Sequence, residues 1–182
     1  MRRANAFISM PVMVLFLFHG IMGGFQLAGV IPGGSKLMQT MAWVMTALTA
    51  AHGVIGIKLT VDTLKAIKKA GTSYYRENRL FWLRRISGFA IMVFMLFHIM
   101  IFMGKNDGTY RLDLFAGAQL ATQILLVAAT ALHVITNAKP MLLSLGTKSY
   151  KELGLDIAMV LAGILLFTGV CFVIYYLRWR LF

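Results

Sequence analysis

The chain has 182 residues, of which 59% are hydrophobic and only 13% charged, and its mean hydropathy is +0.78. That balance suits lipid as solvent and excludes an ordinary water-soluble domain, which must wrap its core in polar surface. Eighteen Lys and Arg against six Asp and Glu could suggest a nucleic-acid binder, but the basic residues fall between long apolar runs, so membrane topology accounts for the charge and no nucleic-acid partner is expected.

About 20 helical residues, at 1.5 Å each, cross a hydrocarbon core of roughly 30 Å. Five stretches qualify: 7–30, 37–59, 86–103, 114–137 and 157–177. We therefore expect an all-α integral membrane bundle, a single transmembrane domain over residues 1–182. Arg2 and Arg3 before the first run resemble the start of a signal peptide, yet no charge occurs from Ala4 to Ser35, far more than a signal core, so the first helix is expected to be retained. Pro11 falls in its first turns, where a missing donor is cheapest. His19 follows, beside Gly20, Gly23 and Gly24.

The second run carries His52 among Ala50, Ala51, Gly53 and Gly56 and leads into a basic segment, 60–85, in which Val61, Leu64, Ile67, Tyr74, Tyr75, Phe81, Trp82 and Leu83 alternate with Lys and Arg. Such a segment fits a helix and loop lying along lipid headgroups, and equally a docking surface with aromatic and arginine anchors. The third run carries His98, flanked by Phe94, Met95, Phe97 and Phe102, and the fourth carries His133 with Ala128, Ala129 and Ala131. The fifth holds Cys171, the one cysteine, which rules out an intrachain disulfide framework and leaves too few thiolates for an iron–sulfur cluster in this chain.

Topology follows from the basic residues. The amino terminus, the 58–85 segment and the 139–151 segment share one side with thirteen Lys and Arg, against five on the other. The amino terminus is thus expected in the cytoplasm and the carboxyl terminus outside, in the cytoplasmic (inner) membrane of a cell.

His19, His52, His98 and His133 are the only histidines, one in each of the first four runs, where an unsatisfied polar group is penalised. From the cytoplasmic ends, His19 and His98 both lie about 12 residues in, or roughly 18 Å, and His52 and His133 only about 6 to 10 Å in. The depths group them two by two. Two imidazoles at one depth on different helices suit axial ligation of an iron porphyrin from both faces, with small residues admitting the flat ring and the other ring nitrogens satisfied by the protein. Interhelical hydrogen bonding and close helix packing without any ligand would use the same residue types.

Two short motifs accompany the histidines: Arg85-Ile86-Ser87-Gly88 opening the third run, and HVITNAKPMLLSLG from His133 to Gly146. With five spans and one His in each of the first four, the chain resembles the diheme cytochrome b membrane subunit of the succinate:quinone oxidoreductases, the succinate dehydrogenases and quinol:fumarate reductases. The resemblance implies two haems b. His52 and His133 would hold the one nearer the cytoplasm, and His19 and His98 the distal one. It also implies exchange of electrons with menaquinone or another membrane quinone, and iron–sulfur and FAD-containing flavoprotein subunits docked on the cytoplasmic face, where fumarate and succinate interconvert. A dimer of such a complex is compatible with the sequence.

Under that likeness, Arg85, Ser87 and Lys58 are candidate propionate contacts at the inner haem. Gln26, Gln39, Gln119 and Gln123, near the distal level, are candidate quinone donors, with interhelical amide bonds as the competing role. Some members of the family carry an intramembrane Glu two residues before the fourth ligand, where this chain has Ala131, and no Asp or Glu lies inside any expected span. Quinol oxidation outside coupled to proton uptake inside would then be electrogenic, at about 2.3 kcal/mol per charge per 100 mV. Two other readings stay open. One is an anchor for a different flavoprotein reductase. The other is a haem-free transporter relaying protons through histidine, which would be colourless.

Overall fold

In a computed structural model the structure describes residues 1–71, 78–103, 105–106, 109–110 and 115–181. Tyr74, Tyr75 and Arg111, together with Leu114 at the start of the expected fourth span, lie outside the described residues. The fold is all-helical apart from one two-residue strand pair. Its helices are α1 (Arg2–Ala28), α2 (Lys36–Ala70), α3 (Arg79–Phe102), α4 (Gly117–Leu145) and α5 (Tyr150–Leu181), with β1 (Lys105–Asn106) antiparallel to β2 (Thr109–Tyr110) between α3 and α4. All five helices are long and apolar enough to cross a membrane; the chain is a multi-pass membrane protein.

The helices outrun the expected spans because an apolar boundary marks the edge of the lipid, not the end of a helix. Helix α2 continues without interruption to Ala70, eleven residues past the expected end at Leu59. Its 35 residues make a rod of about 52 Å, so the first part of the basic segment extends the span itself rather than forming a separate surface helix. Helix α1 begins at Arg2, which puts Pro11 in the helix interior rather than the first turns, and the carbonyl of Phe7 lacks its usual i+4 donor there. Helices α1 and α4 end on Gly29 and Gly146, at φ 78° and 80°, left-handed caps that close the last turn cheaply only with glycine.

The packing has a front and a back. Helix α1 touches α2, α5 and α4, and α4 touches α3, α5 and α1, whereas α2 and α3 meet only sparsely. Helices α1 and α4 thus form the middle, α5 lies across both at the back, and α2 and α3 flank the front. The histidines sit on the four helices of the middle and front. No residue of α2 is buried.

The back seam is built from small residues and rings. A Cβ on Gly20 would meet Ile164 Cγ2 at 3.3 Å, and one on Gly24 would run into the ring of Phe167, which itself packs edge-on against Phe25 with centroids 5.3 Å apart. These two glycines therefore serve close approach of α1 and α5, not the passage of a cofactor. Only Gly23 of the three has open space before it. At the carboxyl end of α1, Leu27, Phe115, Cys171, Phe172 and Tyr175 form the buried core cluster, and Arg178 of α5 donates from Nη1 to Ala28 O of α1 at 2.8 Å, satisfying a carbonyl that the end of α1 leaves open.

Gly24→Ala should lower stability by about 1–3 kcal/mol through overpacking against Phe167, while Gly23→Ala should stabilise α1 by about 0.5–1 kcal/mol. Thermal unfolding of the two variants in one detergent checks the ordering; equal melting temperatures would contradict the packing described.

Candidate functional site

The structure brings the four imidazoles together as two pairs. The rings of His19 and His98 have centroids 5.9 Å apart at an interplanar angle of 76°, and those of His52 and His133 have centroids 6.2 Å apart at 87°. Each pair joins two helices: α1 with α3, and α2 with α4.

What the outward ring edges touch decides what the inward edges can do. Ser87 donates its hydroxyl proton to Arg84 O at 3.2 Å, so its oxygen accepts from His133 Nδ1–H, also at 3.2 Å. Ser9 likewise donates to Asn5 O at 2.8 Å and accepts from His52 Nδ1–H at 3.3 Å. Gln123 donates from Nε2 to Thr122 Oγ1 at 3.2 Å, and Thr122 passes its own proton to Gln119 O at 2.7 Å. The amide oxygen of Gln123 is thereby turned toward His98 Nδ1, at 2.7 Å. The Nδ1–H tautomer satisfies three of the four rings in this arrangement, and it carries a lone pair on Nε2. In the His52–His133 pair both rings are of this kind. Two lone pairs cannot hydrogen-bond each other; they can share an electrophile. His19 Nδ1 is buried without a hydrogen-bond partner among the described residues.

The spacing fits a six-coordinate iron. With a metal–imidazole bond of about 2.0 Å and about 1.1 Å from nitrogen to ring centre, two axial imidazoles place their centroids roughly 6 Å apart. No cluster of three or more His, Cys, Asp or Glu able to hold a bare metal ion occurs among the described residues, so each pair offers two ligands and no more. That donor set suits a metal whose remaining ligands come from a macrocycle.

The other predicted residues are placed as follows. Ser87 is 2% exposed, and its hydroxyl lies at hydrogen-bond distance from His133 Nδ1 and Arg84 O. Lys58 is exposed on α2. Arg84 reaches from α3 to Thr136 O of α4 at 2.7 Å, and Arg85 from α3 to Gly56 O of α2 at 3.3 Å, with its guanidinium 5.1 Å from the centre of the Phe81 ring. Arg85 also stands close enough to His52 and His133 to act on both electrostatically, and its Nε is buried without a partner among the described residues. It is the cation best placed for a carboxylate at the inner pair.

A cavity of about 200 Å³ opens beside the His19–His98 pair. Both rings line it, as does Thr46, and it runs to Gly34 and Ser35 at the turn between α1 and α2. Gln26 and Gln39 stand on its outer part, and Met38, Met45, Met95 and Met103 supply much of the apolar wall, adaptable packing for a flat or flexible ligand. Gln119 and Gln123 do not reach it. Gln119 Oε1 accepts from Ala116 N at 3.0 Å, closing the start of α4, and Gln123 is wholly buried with both ends of its amide engaged.

Several contributors gave no distinct sequence signal. Ser9 looks like any small residue of a first span, and Phe172, whose ring lies 6.3 Å from that of His98, is on the helix without histidine. Of the aromatics flanking His98 in sequence, Phe102 stacks on it at 5.0 Å, whereas Phe97 is exposed. Gly88 was marked by its motif but not by its reason: a Cβ there would lie 3.1 Å from His133 Cε1.

Gly88→Ala should therefore displace the His133 ring and cost about 1–3 kcal/mol. Gly53→Ala, whose Cβ would meet only the flexible Met92 Sδ at 3.4 Å, should be neutral to stabilising; parallel melting curves check the contrast. No protein-family model, curated protein or solved structure matches the chain, and what the site holds must be read from its own residues.

Proposed function

We propose that the chain is a diheme cytochrome b: a membrane electron-transfer subunit with one haem between His19 and His98 and a second between His52 and His133. The observation that carries this reading is the double pairing of rings at close to 6 Å with Nδ1–H of three of them turned into protein acceptors, the usual orientation of metal-bound histidine. When bound, the two irons would each accept and release one electron within the hydrocarbon layer. The chain's own residues do the rest. Ser9, Ser87 and Gln123 set the tautomer of three ligands, Gly88 leaves room for His133, and Arg85 offers a partner for a propionate at the cytoplasmic side.

The likeness to the succinate:quinone oxidoreductase membrane subunits supplies the wider reading. The amino terminus lies in the cytoplasm, iron–sulfur and flavoprotein subunits dock on the basic face, and a quinol is oxidised or a quinone reduced at the outer cavity. Gln26 and Gln39 are the amides placed to address the quinone carbonyls there. The described Asp62, Glu152 and Asp156 are all exposed, so no buried carboxylate relay occurs among the described residues, which favours electrogenic turnover.

A dithionite-reduced minus oxidised spectrum with pyridine haemochrome quantification should give two haems b per chain, falling to one in His98→Ala or His133→Ala. Absence of a Soret band in membranes from haem-sufficient cells would overturn the proposal in favour of a colourless transporter. In the assembled complex, replacing both Gln26 and Gln39 by Leu should lower kcat/KM for quinol about tenfold, or roughly 1.4 kcal/mol, with both haems retained. An unchanged value would move the quinone away from this cavity.

A further inference from the structure

The four ring nitrogens turned away from the pair centres are not treated alike. The inner pair meets two serine hydroxyls at 3.2 and 3.3 Å, with the backbone of Asn5 beside His52 and that of Arg84 beside His133, but no side-chain amide. In the outer pair His98 meets an amide oxygen at 2.7 Å, while His19 Nδ1 meets no hydrogen-bonding group among the described residues. A primary-amide oxygen is a stronger acceptor than an alcohol, the contact is shorter, and Gln123 is completely shielded, with 0% exposure. No water competes there, so the bond acts at full electrostatic strength.

We propose that Gln123 is a positioning residue that tunes the outer haem through His98 alone. Drawing the Nδ1 proton of His98 toward Oε1 gives the ring partial imidazolate character and makes its Nε2 a better donor to iron. A more basic ligand favours the ferric over the ferrous state, so the bond lowers the midpoint potential of the outer haem and leaves the inner one unaltered. The pair becomes electronically lopsided: a strong ligand from α3 faces an ordinary one from α1. Thr122 belongs to the device because its hydroxyl receives Nε2–H and so prevents the amide from flipping. The role also accounts for a glutamine fully buried between helices α3 and α4 with no surface of its own to present to a substrate.

The inference rests on the diheme reading, and the test separates the two. Potentiometric titration of the visible spectrum is made on membranes carrying the full chain with its accompanying subunits, and needs no turnover. Gln123→Met keeps the volume and removes the acceptor. One of the two midpoints should rise, with the ferric preference falling about tenfold, equivalent to roughly 59 mV for a one-electron couple, while the other stays fixed. Gln123→Glu, which retains an oxygen at the same place, should return that midpoint to the wild-type value or below it; it also keeps the test decisive if the Met variant folds poorly. Ser87→Ala should move the other midpoint instead. Two haems present with neither midpoint shifted by Gln123→Met, or with both shifted together, would overturn the role given to Gln123 and spare the diheme reading. A wild-type protein without haem would overturn both.

Discussion

Three of the four imidazoles in this bundle have Nδ1 met by a side chain of the protein rather than by water, and that constraint orders much of the interior. A ring placed in hydrocarbon with a free donor costs several times the value of one ordinary hydrogen bond. Ser9, Ser87 and Gln123 each remove that cost for one histidine, and each is itself held by a second bond to a helix carbonyl or a neighbouring hydroxyl. Rotation of the serine is stopped by its own i−4 or i−3 carbonyl, rotation of the glutamine by Thr122. The direction of each Nε2 is therefore settled by groups one step removed from the pair centres.

The helix arrangement follows the same logic. Helices α1 and α4 are joined chiefly through α5, which packs on both, and Gly20 and Gly24 let α1 come close to it. The two front helices meet only sparsely. Helix α2 buries none of its residues, and it is linked to α3 by Arg85 at Gly56 O and by Met92 beside Gly53. In lipid no hydrophobic drive pulls bare helices together, so the front is held by polar tethers and by whatever the paired rings grip. Under the proposed diheme reading, macrocycles held between α1 and α3 and between α2 and α4 would add packing surface at this front.

Part of this was legible in the sequence. The two-by-two grouping of the histidines follows from a fixed rise per residue measured from charged borders, and the existence of five apolar helices from composition alone. The length of α2 beyond the expected span end at Leu59 was not legible, because charge marks the headgroup level while the helix runs on to Ala70. The glutamines were judged by depth, but depth does not say which way a side chain faces. Gln119 and Gln123 share a helix face, yet Gln119 is drawn back to the first turn of α4 and Gln123 turns inward to His98. The roles of Ser87 and Gly88 need the contact between α3 and α4, groups 46 residues apart in the chain for the Ser87–His133 bond, and no local pattern encodes that distance.

The tie from Arg178 to Ala28 O spans 150 residues, and it sets an order of events during synthesis. At about 5–20 residues per second, the end of α1 waits roughly 8 to 30 s after its own emergence before the side chain that closes it exists. Until then the seam of Gly20 and Gly24 has no Ile164, Thr168 or Phe167 to receive it, while all four histidines have already been made. Within the bundle the back is made last, so the newborn chain passes through a stage in which its four histidines exist and the helix that encloses them does not.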